Sequence, residues 1–328
     1  MTSTNGVTRR VTVYAARANP SPAPLFNLYS ELTGVQVEAI YGSFGPIAKR
    51  LADERTTPQA DVVISKTRPD LDTVREAGLL EPYASSIARE LPDWLHADDF
   101  SWTSFSGWPR VAIVNRAVLP NPVDWPMRLD ELAEPSWRGR FGCASILERT
   151  TRAHFAAIHA ARGADYLECL LDRLVANDIR IFLGNTGGRI DMMRTGLPVA
   201  LASCSNIHIF YREGHPVGEA WLDQEDGGLG AHVEAHSMGI VRDCPRPEAA
   251  RDFVDFMLSV EAQTFLAKQF GETPVNPAAD HGEVRPLADI RRIDASLAAI
   301  NQAMPSTLAM LRTRGFELEE TAVRTGPA

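Results

Sequence analysis

Three short apolar runs alternate with two amphipathic segments in the first 66 residues, and this alternation constrains the fold more than any other feature of the sequence. Apolar residues recur at helical spacing over Leu25–Leu32, where Thr33-Gly34 would end a helix, and over Ile47–Glu54. The runs predicted as strands are Arg10–Tyr14, Val35–Ile40 and Ala60–Ile64. Strand, helix, strand, helix, strand is typical of a parallel sheet with right-handed crossovers.

Each of these strands is followed by a short polar loop. The carboxyl ends of parallel strands lie at one edge of a sheet, and ligands of open α/β sheets bind there. The edge would collect Arg17, Ser43, Ser65 and Lys66. We take Arg17, Ser43 and Lys66 as candidate ligand-binding residues, together with Tyr14 of the first strand.

A second segment of the same kind is Leu183–Asn206. It predicts a glycine-rich turn at Gly184, Gly187 and Gly188, then a short helix that stops at Gly196 and Pro198. The apolar run Val199–Ala202 predicts a strand buried on both faces, and the polar residues after it leave the strand's carboxyl end. An ordinary helix–strand unit with a polar loop would show the same pattern.

The length of 328 residues favours two lobes. We expect a strand at Arg110–Asn115, a lobe boundary in Pro120–Gly139 and one long helix from Thr150 or Thr151 to beyond Leu170. Later elements are a strand in Leu229–Val241, an amphipathic helix at Pro247–Leu258 and a mostly helical tail at Pro286–Phe316. The predicted lobes are residues 1–116 with 229–275, and residues 117–228 with 276–328.

Charge and composition exclude several classes. The net charge of −9, with no lysine- or arginine-rich run, argues against a nucleic-acid partner. No apolar stretch reaches the roughly 18 residues that a membrane helix needs. The amino terminus shows no signal peptide as written, so we expect either a protein that stays inside the cell or a sequence that lacks its leader. Four scattered cysteines fit a reducing compartment slightly better than an oxidising one.

Motifs for catalysis or metal binding are weak. Gly42–Gly45 (GSFG) does not match the GxSxG nucleophile elbow, and the sequence has no GK[ST] phosphate loop and no HExxH. His232 and His236 would stand roughly 13 Å apart on a strand, too far to share one ion. Cys204 could be a nucleophile, although a buried small thiol is the commoner case.

Four stretches together resemble a known family: VTVYAAR, ELTGVQVEAIYGSFG, ADVVISKTRPDLDTVREAGLLEPY and RPEAARDFVDFMLSVEAQTFLAKQFGETPVNP. Over about residues 10–280 they are similar, in order and spacing, to the periplasmic solute-binding proteins of ABC importers, in the ferric-ion and organophosphate-binding branch. The resemblance implies a type 2 periplasmic-binding fold: two α/β lobes, each a mixed sheet flanked by helices, with the ligand cleft at the hinge. It also implies an ABC permease and ATPase as partners, and a periplasmic or extracytoplasmic location.

The resemblance also locates the iron ligands of the ferric branch. The histidine of the first loop falls near Arg17-Ala18, the glutamate after the third strand falls on Lys66, and the pair of adjacent tyrosines falls on Cys204-Ser205. Ferric iron prefers carboxylate and phenolate oxygens, and a lysine would repel it. We therefore expect no iron site, no other metal and no cofactor.

The residues present instead favour an anion. Arg17 and Lys66 are basic, and Thr150-Thr151-Arg152 falls where relatives bind an anion at a helix start. Neutral donors on the opposite wall would be Asn185, Thr186, Ser205 and Asn206. The alternative is that the threonines only cap the helix and that the basic residues are solvated. Trp102 could stack on the ligand, although an aromatic residue at a lobe junction more often packs.

The sequence thus predicts the substrate-binding protein of an ABC-type importer, a monomer that binds a small anionic organic solute such as a phosphonate or sugar phosphate. It would have no catalytic role. The alternative is an intracellular enzyme or ligand-binding protein on the same scaffold, and ferric-ion binding ranks last. A longer reading frame that encodes a leader would favour transport. A neighbouring biosynthetic operon without permease genes would favour the enzyme.

Overall fold

The computed structural model describes residues 9–16 and 22–318. Its strands are β1 (Arg10–Ala16), β2 (Gln36–Tyr41), β3 (Val62–Ser65), β4 (Leu80–Glu81), β5 (Thr103–Asn115), β6 (Phe141–Ala144), β7 (Arg180–Phe182), β8 (Val199–Ser203), β9 (Val217–Ala220) and β10 (Val233–Val241). Its α-helices are α1 (Ala23–Thr33), α2 (Phe44–Asp53), α3 (Arg68–Glu76), α4 (Arg149–Arg162), α5 (Ala164–Ala176), α6 (Asn185–Thr195), α7 (Ser205–Arg212), α8 (Pro247–Leu258), α9 (Val260–Phe270) and α10 (Leu297–Thr313). In the part of the chain described, no helix combines the length and the apolar character needed to cross a membrane.

The first compact unit comprises the described residues up to Gly107, with Ala235–Gln269 and Thr273–Val284. Its sheet has the order β2-β1-β3-β10; β1 is parallel to β2 and β3, whereas β10 is antiparallel to β3. The parallel β1–β3 arrangement predicted from the sequence is confirmed. Helices α1 and α8 meet through Tyr29 and Phe253, whose ring centroids are 5.2 Å apart in an edge-on contact.

The second compact unit comprises Trp108–Glu234, Phe270–Glu272 and the described residues from Arg285. Its sheet has the order β5-β8-β6-β7, with β6 parallel to both β7 and β8. Buried clusters cover both faces of this sheet. One contains Phe155 and Leu171 of α4 and α5, and the other contains Met192 and Phe210 of α6 and α7. The strand β8 is therefore apolar on both faces, as the run Val199–Ala202 predicts.

Two strands have residues in both units, because the chain passes from one unit to the other within β5 and within β10. The segment Pro120–Gly139, which we expected to mark a boundary, lies wholly within the second unit. There it forms short 3-10 helices at Pro122–Asp124, Asp130–Ala133 and Pro135–Trp137. Its residues Leu132 and Trp137 are buried in the core of that unit, which explains the aromatic content of the segment.

The single long helix predicted from Thr150 to beyond Leu170 is wrong. Two helices, α4 and α5, occupy this stretch and are separated by Gly163, whose φ of 86° lies in the left-handed region. The helical tail is also shorter than predicted, since α10 begins only at Leu297 after a 3-10 turn at Leu287–Asp289.

The predicted glycine-rich turn at Gly187 and Gly188 is also wrong, because both residues lie inside α6. A Cβ on Gly188 would lie 2.6 Å from the ring of Phe182, so glycine is needed there for close packing. Gly196 ends α6 as predicted, with a φ of 68°. The residues Ser205 and Asn206, expected in a polar loop, begin the helix α7.

Candidate functional site

Each unit has one sheet edge where three parallel strands end and three helices begin. The unit-2 edge consists of the carboxyl ends of β6, β7 and β8 and the first turns of the helices that follow them, α4, α6 and α7. The unit-1 edge consists of the carboxyl ends of β1, β2 and β3 and the first turns of α1, α2 and α3. Strand direction alone produces these edges, and ligands of open α/β sheets bind at such edges.

The helix starts make the unit-2 edge electropositive. Helices α4, α6 and α7 contain 14, 11 and 8 residues, and each presents backbone N–H groups that have no partner within the helix. The aligned peptide dipoles place roughly half a positive charge at each start. An anion held at this edge would therefore meet donors from three directions.

The predicted segment Thr150-Thr151-Arg152 forms the first turn of α4. Thr150 is buried, Thr151 is 0% exposed, and Arg152 is half-buried. The Thr151 hydroxyl has no hydrogen-bond partner among the described residues. The N-cap residue of this helix is Glu148, and both threonines lie inside the helix, so neither threonine serves as the cap that the alternative interpretation requires.

The side chain beneath this turn is Arg110, on β5. Arg110 is 5% exposed; its Nη1 donates to the Thr150 hydroxyl at 3.5 Å and its Nη2 donates to the Leu201 carbonyl at 3.2 Å. Burial lowers the pKa of Arg110 from 12.5 to about 10, with the nearby Cys143 and Glu148 raising it in opposition. The guanidinium is still protonated at neutral pH, so a buried positive charge lies under the first turn of α4.

The neutral donors that we expected on the opposite wall lie on α6 and α7, at the same edge as Thr150. Asn185 is half-buried at the start of α6, and its Oδ1 has no partner among the described residues. Ser205 is buried at the start of α7, and the Asn206 side chain donates to the Ser203 carbonyl at 3.2 Å. Thr186 lies in α6, and its side chain is outside what the structure describes. Strand order therefore brings Thr150, Asn185 and Ser205 to one edge.

One acidic residue also belongs to the unit-2 edge. Glu148 is half-buried, and one of its carboxylate oxygens lies 2.9 Å from the position that a Cβ on Gly184 would occupy. Gly184 is the N-cap of α6, so the carboxylate stands beside a second helix start. Among the described residues, the edge is thus positive from its backbone and from Arg110, and Glu148 adds a negative group to it.

At the unit-1 edge the structure places Ser43 and Lys66 as the sequence predicts. Ser43 is exposed at the N-cap of α2, and Lys66 is half-buried between β3 and α3. The neighbouring Ser65 hydroxyl donates to the Asp70 carboxylate at 2.5 Å and is fully buried. Arg17 lies outside the described residues.

Two further candidates are directed elsewhere in the first unit. The hydroxyl of Tyr14 donates to the Glu54 carboxylate at 2.8 Å, and Glu54 follows the last residue of α2, at the end opposite to the edge. Burial and the Glu54 carboxylate raise the pKa of Tyr14 to about 12. Trp102 is buried, and its ring N–H donates to Asp72 at 3.5 Å. These contacts indicate that both side chains have packing roles.

The residues that the sequence suggests for catalysis or metal binding are buried and contact other protein groups. The Cys204 thiol is buried and donates to the Gly271 carbonyl at 3.7 Å. His232 and Glu234 are both buried, with 3.7 Å between Nε2 and Oε2. Within residues 9–16 and 22–318, no group of three or more His, Cys, Asp or Glu side chains could hold a metal ion.

The sequence interpretation missed Arg110 and Glu148. Arg110 begins RVAIVN, a run of otherwise apolar strand residues, and an arginine in a buried strand is the signal that could have identified it. The sequence around Glu148 gives no comparable signal, because the carboxylate reaches the edge only through the close approach of α6 to α4.

Comparison with known proteins adds the family. The family model described as "Bacterial extracellular solute-binding protein" matches residues 11–271. The iron uptake protein A1 of Synechocystis sp. is 27% identical over 326 residues, 96% of this chain and 89% of that protein. The putative 2-aminoethylphosphonate-binding periplasmic protein of Salmonella typhimurium is 23% identical over 261 residues, 78% of this chain and 75% of that protein.

The structure of iron-bound HitA from Pseudomonas aeruginosa is similar to this one, with a TM-score of 0.80 and 23% identity over 94% of this chain and 99% of that chain. This similarity confirms the predicted fold class, two α/β lobes that each contain a mixed sheet flanked by helices.

Proposed function

This chain belongs to the bacterial extracellular solute-binding protein family, and we propose that it binds a small phosphonate or sugar phosphate for an ABC-type importer. The family consists of substrate-binding proteins that work with an ABC permease and ATPase, and they are not enzymes. Members of the family are periplasmic or extracellular. The identity of the solute that this chain binds is our own proposal.

The observation that carries the proposal is the contact between Arg110 and Thr150. Because the Thr150 hydroxyl accepts a bond from the guanidinium, its own hydrogen is free to point towards a ligand. Thr150 therefore acts as a donor at the start of α4, with a buried positive charge behind it. Donors backed by positive charge select an anion, and charge-assisted hydrogen bonds are the strong ones.

Other residues disfavour ferric iron as the solute, although relatives named for iron uptake and for phosphonate binding both match this chain. Ferric iron needs carboxylate or phenolate oxygens. Lys66 stands on the unit-1 edge, and residues 203–206, which join the end of β8 to the start of α7, include no tyrosine. We infer that hydroxyl and amide donors have taken the place of the iron ligands.

Glu148 refines the class of solute. A carboxylate at the unit-2 edge would repel a ligand that carries negative charge alone, whereas it would pair with an ammonium group near the anion. A phosphonate that also bears an amine satisfies both the helix starts and Glu148. We therefore rank aminoalkylphosphonates above simple phosphonates and above inorganic phosphate.

Titration calorimetry of the purified protein tests this ranking with 2-aminoethylphosphonate, ethylphosphonate, inorganic phosphate and ferric citrate. We expect the aminophosphonate to bind most tightly, and we expect Glu148→Gln to weaken it towards ethylphosphonate without weakening ethylphosphonate itself. Glu168→Gln, on the exposed face of α5, is the control. A tight, coloured 1:1 complex with iron, and no heat from either phosphonate, would replace this function with ferric-ion binding.

A further inference from the structure

A small cavity lies inside the second unit beneath α4, on the buried side of Arg110. Its volume is about 10 Å³, close to the space that one water-sized particle needs. Arg110 of β5, His154 of α4, Leu201 of β8 and the loop residues Leu222, Asp223 and Gly230 line it.

Two of the lining side chains carry buried nitrogen atoms without a partner. Arg110 is 5% exposed and His154 is 8% exposed. The Nε of Arg110 and both ring nitrogens of His154 have no hydrogen-bond partner among the described residues. Buried polar atoms in folded proteins are almost always satisfied, by protein groups or by something held in a cavity.

The charge around the cavity is unbalanced as well. In the described part of the chain, the Arg110 guanidinium bonds only to the Thr150 hydroxyl and the Leu201 carbonyl, and no carboxylate lies within ion-pair distance of it. The Asp223 carboxyl accepts from the Leu129 N–H at 3.2 Å instead. A neutral water molecule would satisfy the nitrogens, but it would add no negative charge to a buried guanidinium on which Glu148 acts without an ion pair.

We propose that this cavity binds one monovalent anion of chloride size, held by the Nε–H of Arg110 and by a ring N–H of His154. Such an ion supplies a hydrogen-bond acceptor for the unpartnered nitrogens and a negative charge beside the guanidinium. It is a resident ion inside the second unit and is distinct from the transported solute.

The groups that face the cavity give the site a pH signature. Burial raises the pKa of Asp223 to about 6, so its carboxylate is mostly ionised at pH 8 and mostly protonated at pH 5. The ionised form repels an anion. Burial lowers the pKa of His154 well below 6.5, with Arg110 and His232 acting in the same direction, and a bound anion would raise it. Both groups make chloride bind more tightly at pH 5 than at pH 8.

Thermal unfolding of the full chain in sodium chloride and in sodium gluconate of equal ionic strength tests the proposal. With chloride about tenfold above its Kd, we expect Tm to be higher by roughly 2–4 °C, with a larger difference at pH 5 than at pH 8. Arg110→Met and His154→Leu should abolish the difference. Arg189→Met should keep it, because Arg189 lies on α6 and pairs with Glu213.

Crystals soaked in sodium bromide give a readout that needs no variant. An anomalous peak beside Arg110 and His154 is the expected result. Equal Tm values in the two salts together with a water-only cavity would overturn the proposal. Displacement of the bromide by a phosphonate would also overturn it, because the cavity would then belong to the solute site. Neither chloride readout depends on which solute the protein carries.

Discussion

The two edges carry positive charge in different surroundings. At the unit-1 edge, Lys66 is half-buried on a strand–helix connection, where solvent and salt reach it. At the unit-2 edge, Arg110 is buried and bonded to a hydroxyl and a carbonyl. Exposed charges are screened within about 8 Å at physiological salt, whereas buried charges are screened much less. The positive charge at the unit-1 edge is therefore open to screening by salt, whereas the positive charge at the unit-2 edge is protected from screening by burial.

Charge reversal at the unit-1 edge has the largest expected effect. Lys66→Glu removes an attraction and adds a repulsion, and a charge-assisted bond is worth about 1.5–3 kcal/mol, so we expect about a hundredfold loss of phosphonate affinity by calorimetry. Raising the salt concentration should shrink the loss. Lys49→Glu, an exposed lysine on α2, is the matched reversal and should leave the affinity nearly unchanged. An unchanged affinity for Lys66→Glu would show that Lys66 does not act on the bound phosphonate.

The same comparison explains how far the sequence predicts the site. The parallel order of β1, β2 and β3 could be predicted, because turn residues and apolar periodicity are local properties. The charge at the unit-1 edge could be predicted for the same reason, since Lys66 directly follows a strand. Arg110 could not be placed from local pattern alone, because its position under α4 depends on the pairing of β5 with β8.

Helix breaks show a second limit of the sequence. Gly163 lies within a segment that is amphipathic on both sides, and only its left-handed φ separates α4 from α5. Gly188 shows the reverse case. It suggests a turn from its residue type, yet it serves the packing of Phe182 inside a helix. A glycine in the sequence therefore indicates either a positive φ or close packing, and the sequence does not say which of the two applies.

The second-largest expected effect comes from acidic groups, whose pKa values are shifted in opposite directions in the two units. Burial raises the pKa of Glu219, on β9 of the second unit, from 4.5 to about 7. Because the folded-state pKa is the higher one, the stabilisation is complete below about pH 4.5 and is lost as the pH rises through 7. In the first unit, hydrogen bonds with Ser101 and the charge of Arg75 lower the pKa of Asp99 despite its partial burial.

We therefore expect Glu219→Gln to flatten the pH dependence of unfolding. Wild-type protein should lose roughly 2 kcal/mol between pH 4.5 and 7.5 that the variant keeps, as measured by urea denaturation at each pH. Glu168→Gln, on the exposed face of α5, should follow the wild-type curve. Parallel curves for Glu219→Gln and wild type would show that Glu219 has an ordinary pKa.

Removal of the Thr150 hydroxyl should have an intermediate effect. Thr150→Val keeps the shape of the side chain and the backbone N–H groups of α4, but it removes the donor that Arg110 orients. Loss of one hydrogen bond to a charged ligand predicts a five- to tenfold weaker phosphonate complex by calorimetry. The loss should persist at high salt, in contrast to that of Lys66→Glu. A loss that disappears with salt would mean that the two edges act alike.

The smallest effect is expected one residue further along. Thr151→Val makes the same chemical change in the same helical turn, but the Thr151 side chain is 0% exposed and its hydroxyl has no partner among the described residues. Removing a buried hydroxyl that is unpaired takes away a desolvation cost and no hydrogen bond, so Tm should be unchanged or slightly higher. Phosphonate affinity should stay within about twofold, because the backbone donors of α4 remain. Thr150→Val and Thr151→Val thus form a matched pair of variants. A larger loss of phosphonate affinity for Thr151→Val would show that the ligand bonds to the Thr151 hydroxyl and not to the Thr150 hydroxyl that Arg110 orients.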